Sequence, residues 1–135
     1  MEVPTDYKIV NEIYNRYYEA FAAFSRNAPD RCSKIFVPID ITSIAKRLHV
    51  DGDIIFGRLY YHLEEKYGYV RPDGTRVAFF TPAAGSDKHC VNFPLLGAIL
   101  AGMRQERHRN LWAIGIAVAS FVVSVVSVTI SVMHK

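Results

Sequence analysis

The sequence predicts an α+β protein: a small mixed domain followed by a long C-terminal helix that becomes a single transmembrane span. Three observations carry that expectation. Residues 111–133, LWAIGIAVASFVVSVVSVTISVM, run for twenty-three positions without a charged side chain. Residues 7–24 and 41–67 repeat their apolar positions at three and four, the period of a helix packed on one face. Residues 34–39 and 69–81 hold short β-prone runs, the second divided by the turn signal Asp73-Gly74.

From Tyr7 to Phe24, Val10, Ile13, Tyr14, Tyr17, Phe21 and Phe24 recur at helical spacing with Lys8, Glu12, Arg16 and Glu19 between them, and Thr5 or Asp6 can cap the start. The tyrosines Tyr7, Tyr14, Tyr17 and Tyr18 are read as packing on a core rather than as a binding surface. Residues 27–33 form a loop. In Lys34 to Ile39, Pro38 lacks an N–H and confines the run to a sheet edge or a strand end. Asp40 opens a short helix with Ile41, Ile44, Ala45 and Leu48 on one face. After a break at Asp51-Gly52, Asp53 is the expected N-cap of a helix over Ile54 to Tyr67. Ile55, Leu59, Tyr60 and Leu63 should face inward, and Phe56, Arg58, Tyr61, His62 and Glu65 outward.

Gly68 stops that helix, and strands at Tyr69-Val70 and Arg76 to Thr81 flank the turn. Ala83 to His89 is expected to be a polar loop. Asn92 can cap a further helix with Pro94 just inside it. Nothing interrupts the pattern from Phe93 through RQERHRN into the apolar run, so one helix of about forty residues, roughly 60 Å long, is expected, with Gly97 and Gly102 as weak points.

The apolar run itself rises about 35 Å against about 30 Å of hydrocarbon. A buried core helix is the alternative, but the remaining residues would have to surround it on every side. Arg104, Arg107 and Arg109 precede the run and only His134 and Lys135 follow it, so the positive-inside rule places residues 1–110 in the cytoplasm and a two-residue tail outside. The N-terminus lacks the basic and apolar regions of a signal peptide. The expected organisation is a domain at 1–92, a juxtamembrane helix at 93–110, a span at 111–133 and a tail at 134–135. This is a single-pass, tail-anchored arrangement such as a bacterial inner membrane would hold.

Lys and Arg number sixteen and Asp and Glu thirteen, but four of the bases and only one acid lie after residue 103, so residues 1–103 hold twelve of each. The basicity belongs to the membrane flank. Cys32 and Cys90 have no metal-binding or framework spacing, the five histidines show no H-x-x-x-H pattern, and Glu64-Glu65 sits where neighbouring carboxylates diverge on a helix. No catalytic residue, metal ligand or cofactor is assigned.

The order strand, helix, turn, helix, hairpin over residues 35–82, with Ala45 at the helix crossing, Leu59-x-x-x-Leu63 and Gly68, resembles winged helix-turn-helix domains, with the helix from Tyr7 as their leading helix. The resemblance implies DNA binding through the helix after Asp53, with Arg58 reaching bases and Lys46, Arg47 and Arg76 reaching backbone. A neutral domain argues against it, and winged helices also serve as protein-interaction modules. The favoured expectation is therefore a non-enzymatic membrane protein whose cytoplasmic domain binds a protein partner. The second is a membrane-tethered transcription regulator binding DNA. Self-association is expected through the span, because Ala113, Ala117, Ser120, Ser124, Ser127 and Ser131 fall at alternating steps of four and three, a seam of small residues suited to helix packing in lipid.

Overall fold

The structure is a computed structural model that describes residues 2–134; Lys135, half of the expected external tail, lies outside the described residues. The chain divides into two compact units, residues 1–100 and residues 101–135. The first is a small α+β domain and the second is helical.

Helix α1 (Asp6–Ala22) is capped by Thr5, whose Oγ1 accepts from the Lys8 backbone N–H at 3.2 Å. Ile9, Val10 and Ile13 are fully buried, while its aromatic residues flank that stripe. Tyr14 and Phe21 both stack on Phe93, at 5.4 and 4.8 Å between ring centroids. The loop after α1 is pinned by Arg31, whose guanidinium donates to the carbonyls of Ala20, Ser33 and Lys34 and lies over the Phe24 ring. Strand β1 (Phe36–Pro38) leads to α2 (Ile41–Arg47), where Asp40 accepts from the backbone N–H and the hydroxyl of Ser43.

A continuous helical run follows, built of α3 (Gly52–Gly57), a π-helical segment (Arg58–Leu63) and α4 (Glu64–Tyr67). Its N-cap is Asp51 rather than the expected Asp53. The Asp51 backbone is extended and its carboxylate accepts from the Asp53 N–H at 2.8 Å, so Gly52 begins the helix instead of breaking the chain. The π segment has a sequence cause. Ile55, Leu59 and Leu63, all fully buried, are spaced strictly at four. Four residues overshoot a 3.6-residue turn by about 40°, and wider i→i+5 turns take up that drift and hold the stripe on the core. Tyr60, expected to face inward, is 43% exposed, because the buried stripe already fills the contact.

Gly68 ends the run in an extended conformation. A Cβ there would sit 2.6 Å from the Glu64 carbonyl oxygen and 2.7 Å from its Oε1, so only glycine fits. Strands β2 (Tyr69–Val70) and β3 (Arg76–Val77) pair around the expected turn, with Gly74 at φ +87°. The polar loop expected at 83–89 is instead part of a second hairpin, β4 (Phe80–Ala84) and β5 (Asp87–Asn92), turned at Gly85 with φ +63°. Here Lys88, His89 and the small residues Ala83 and Ala84 hid a strand pair in which β5 is apolar only at Cys90 and Val91, with Cys90, Val91 and Asn92 buried in succession. This hairpin, and not the first, forms the three-stranded antiparallel sheet β1-β5-β4, with Pro38 at its edge.

Helix α5 (Phe93–Met133) is unbroken for 41 residues, and Gly97 and Gly102 do not interrupt it. Asn92 caps it, accepting from the Leu95 N–H at 3.2 Å and donating to the Ala78 carbonyl at 3.1 Å. Phe93, Leu96 and Leu100 are buried, so the first turns of α5 belong to the packed domain.

Candidate functional site

The sequence directs attention to the outward face of the 52–67 run, and the structure engages its cations internally. Arg58 donates to the Pro4 carbonyl at 2.8 Å and is ion-paired with Asp6. His62 lies 3.0 Å and Lys66 3.7 Å from the other Asp6 oxygen. Burial acts to raise the Asp6 pKa, but the hydrogen bonds and charges of Arg58 and His62 outweigh it and hold the carboxyl below its ordinary value. Arg76 is bound at 2.9 Å to Glu64. Of the four residues that the DNA expectation named, Lys46 and Arg47 remain exposed on α2, whereas Arg58 and Arg76 serve ion pairs within the domain.

Glu64 does more than hold Arg76. Its Oε2 accepts from the backbone N–H groups of both Phe79 and Phe80, at 2.7 Å each, and so anchors the corner between β3 and β4 to the helix. The sequence offers Glu64 only as half of a divergent carboxylate pair without acid/base chemistry, and nothing short of the hairpin register exposes its anchoring role.

What the run presents outward is aromatic. Phe56 stacks on Tyr60 at 5.6 Å and 11°, and Tyr60 meets Tyr61 edge-on at 4.9 Å. Tyr61 is 75% exposed, and Ile54 is 48% exposed about two turns nearer the N-terminus. At its other end the strip continues onto His89, whose ring stands edge-on to Phe56 at 5.6 Å. There a cavity of about 370 Å³ opens, lined by Asp40, Thr42, Gly52, Asp53, Phe56 and His89 together with Ile39 and Ile41. Hydrogen bonds from the Ser43 hydroxyl and backbone N–H hold the Asp40 carboxyl below its ordinary pKa, so it is charged at neutral pH. Among the described residues no Lys or Arg lines this cavity. A second cavity, of about 490 Å³ beside the start of α1, is lined by Glu2, Glu12, Lys8 and Arg47 and crossed by the Lys8–Glu2 ion pair at 3.3 Å, so its charges balance.

The second unit is one helix, exposed along nearly its whole length, and α5 is long and apolar enough to cross a membrane, with a mean hydropathy of 2.4 over its most apolar stretch. Arg104, Arg107 and Arg109 are exposed ahead of the apolar run, where the Trp112 indole N–H donates to His108 Nε2 at 2.8 Å. Along the expected seam, the Ser124 hydroxyl donates to the Ser120 carbonyl at 2.9 Å and the Ser127 hydroxyl to the Val123 carbonyl at 3.0 Å. Among the described residues no group of His, Cys, Asp and Glu is placed to hold a metal ion. No family model, curated protein or solved structure matches the chain.

Proposed function

We propose that this is a non-enzymatic, single-pass membrane protein whose domain lies in the cytoplasm on a winged-helix-like plan, docks a protein partner, and is brought together with further copies by its membrane helix. The order α1, β1, α2, helical run, β2–β3 hairpin and β4–β5 hairpin, with β5 between β1 and β4, supports the winged-helix plan, with β4–β5 rather than the expected 69–81 hairpin completing the sheet and β2–β3 an insertion before it. The length of α5 and the uninterrupted apolar run 111–133 within it support the span, and the arginines ahead of that run support the orientation.

The observation that carries the docking reading is the face of the 52–67 run. In a DNA-binding module this helix offers cations to phosphate and base edges. Here Arg58 is tied to Asp6, Arg76 to Glu64, and the outward side chains are Ile54, Tyr60 and Tyr61 beside Asp53 and Glu65, with the exposed His62 and Lys66 drawn to Asp6. Exposed aromatic residues beside acids suit a protein surface and repel a polyanion.

Crosslinking of the full-length protein in native membranes, followed by pull-down, separates the readings. A recurrent cytoplasmic protein partner is the expected product. Recovery of a defined duplex sequence, bound at nanomolar concentration and physiological salt, would establish the membrane-tethered DNA-binding regulator instead. A reporter ahead of residue 1 should read as cytoplasmic, and alkaline carbonate should leave the protein in the membrane.

A further inference from the structure

We infer that the aromatic strip His89–Phe56–Tyr60–Tyr61, with the acidic cavity at its His89 end, is the docking site, and that its occupant is an extended segment of a protein partner carrying an arginine or lysine. The inference rests on the protein-docking reading above and assigns it a place and a chemistry.

The strip is continuous, with three ring-to-ring steps of 5.6, 5.6 and 4.9 Å. It presents faces and edges that are already held against one another, so little side-chain entropy is lost when a ligand covers them. Tyr61 lies over Gly57, where a Cβ would come within 3.9 Å of its ring, and Ile54 extends the apolar surface on the same run. At about 3.3 Å per residue, an extended segment of about five residues would cover the strip.

The charge at the cavity selects the occupant. Asp40 and Asp53 face it, and among the described residues no lysine or arginine lines it. Arg16 acts on Asp40 from a distance, but its own guanidinium donates twice to Glu12, at 2.7 and 3.1 Å. The cations of the 52–67 run are gathered at Asp6 and away from this cavity. A guanidinium or ammonium entering beside Phe56 would meet two carboxylates and an aromatic face, which reinforce each other for a cation and for no other common side chain. Phosphate and acidic peptides are repelled at the same place.

The test introduces p-benzoylphenylalanine at position 61 of the full chain in its native cells, with positions 18 and 70 as exposed controls on α1 and β2. Photolysis and peptide mapping are expected to give adducts at position 61 and few at the controls, on a partner segment that has Arg or Lys within about five residues of the attachment point. Asp53→Lys should cut the yield by about tenfold or more. Reversing the mapped cation to Glu in the partner should restore it. Because Asp51 caps α3, Asp53→Lys should stay folded, and the milder Asp53→Asn should give an intermediate yield. Equal labelling at all three positions, a mapped segment without a cation, or indifference to Asp53→Lys would overturn the inference while leaving a protein partner in place, and an adduct only to a second copy of this chain or to nucleic acid would overturn both the inference and the partner-docking reading. No protein adduct at any position would remove the docking reading itself.

Discussion

At Glu64 a single carboxylate does the work of a turn. It accepts the N–H groups of Phe79 and Phe80 and the Arg76 guanidinium, while its carbonyl leaves room for nothing but glycine at position 68. Hydrogen bonds to a charged group contribute about 1.5–3 kcal/mol each when a partner is removed. Glu64→Ala is therefore expected to lower stability by about 3 kcal/mol, and Arg76→Ala, whose side chain is half exposed, by under about 1 kcal/mol. Chemical denaturation in detergent measures both, and equal losses would show that the salt bridge matters more than the backbone anchor.

Asp6 gives a pH signature. Its pKa is lower in the folded chain than in the unfolded one, so its contribution is fully present above the ordinary carboxylate range and is lost as pH falls through the folded value. Asp6→Asn should destabilise the protein at pH 7 and flatten the fall in stability below about pH 4. An unchanged acid limb in that variant would show that the Arg58, His62 and Lys66 cluster does not hold the carboxylate in solution.

Among the elements, the helices were legible and the second hairpin was not. Regular spacing of Ile9, Val10 and Ile13, and of Ile55, Leu59 and Leu63, is written in single side chains, and the caps Thr5, Asp40 and Asn92 announce themselves by residue type. Strand β5 is announced by nothing local: its outer half is polar, and its inner half is buried only because β1 and β4 lie on either side. The aromatic strip was hidden for a related reason. Tyr60 looks like a core residue until the π segment fixes which positions turn inward. The hairpin turn can be tested directly. Gly85 has φ +63°, and a Cβ there would approach Cys32 Sγ to 2.8 Å, so Gly85→Ala combines backbone strain with a clash. A loss of about 1–3 kcal/mol is expected, with faster amide exchange confined to β4 and β5. A change of under about 0.5 kcal/mol would mean that the loop carrying Cys32 gives way easily.

For the molecule as a whole, the apolar part of α5 is the element proposed to bring copies together. Hydroxyls in lipid must find an acceptor, and those of Ser124 and Ser127 already donate to carbonyls of their own helix. Interhelical hydrogen bonds from these residues would have to compete with bonds already made, so the seam Ala113, Ala117, Ser120, Ser124, Ser127, Ser131 is proposed to act through small size, which lets two backbones approach and gain dispersion contact. Size and polarity then predict different outcomes. Ser124→Ala with Ser127→Ala removes the hydroxyls but keeps the space, and should leave self-association in a membrane reporter within about twofold, because the lost hydroxyls donate within their own helix; interhelical bonds of about 0.6 kcal/mol each would instead make the pair cost roughly eightfold. Ala117, Ser120, Ser124 and Ser127 changed together to Leu fill the space and should abolish it. Val118, Val122 and Val125 changed to Leu add similar bulk away from the seam and should have little effect. Loss of association in the alanine pair would assign the contact to hydroxyl bonding, whereas equal loss from the two leucine sets would show that the repeat of small residues is an accident of composition.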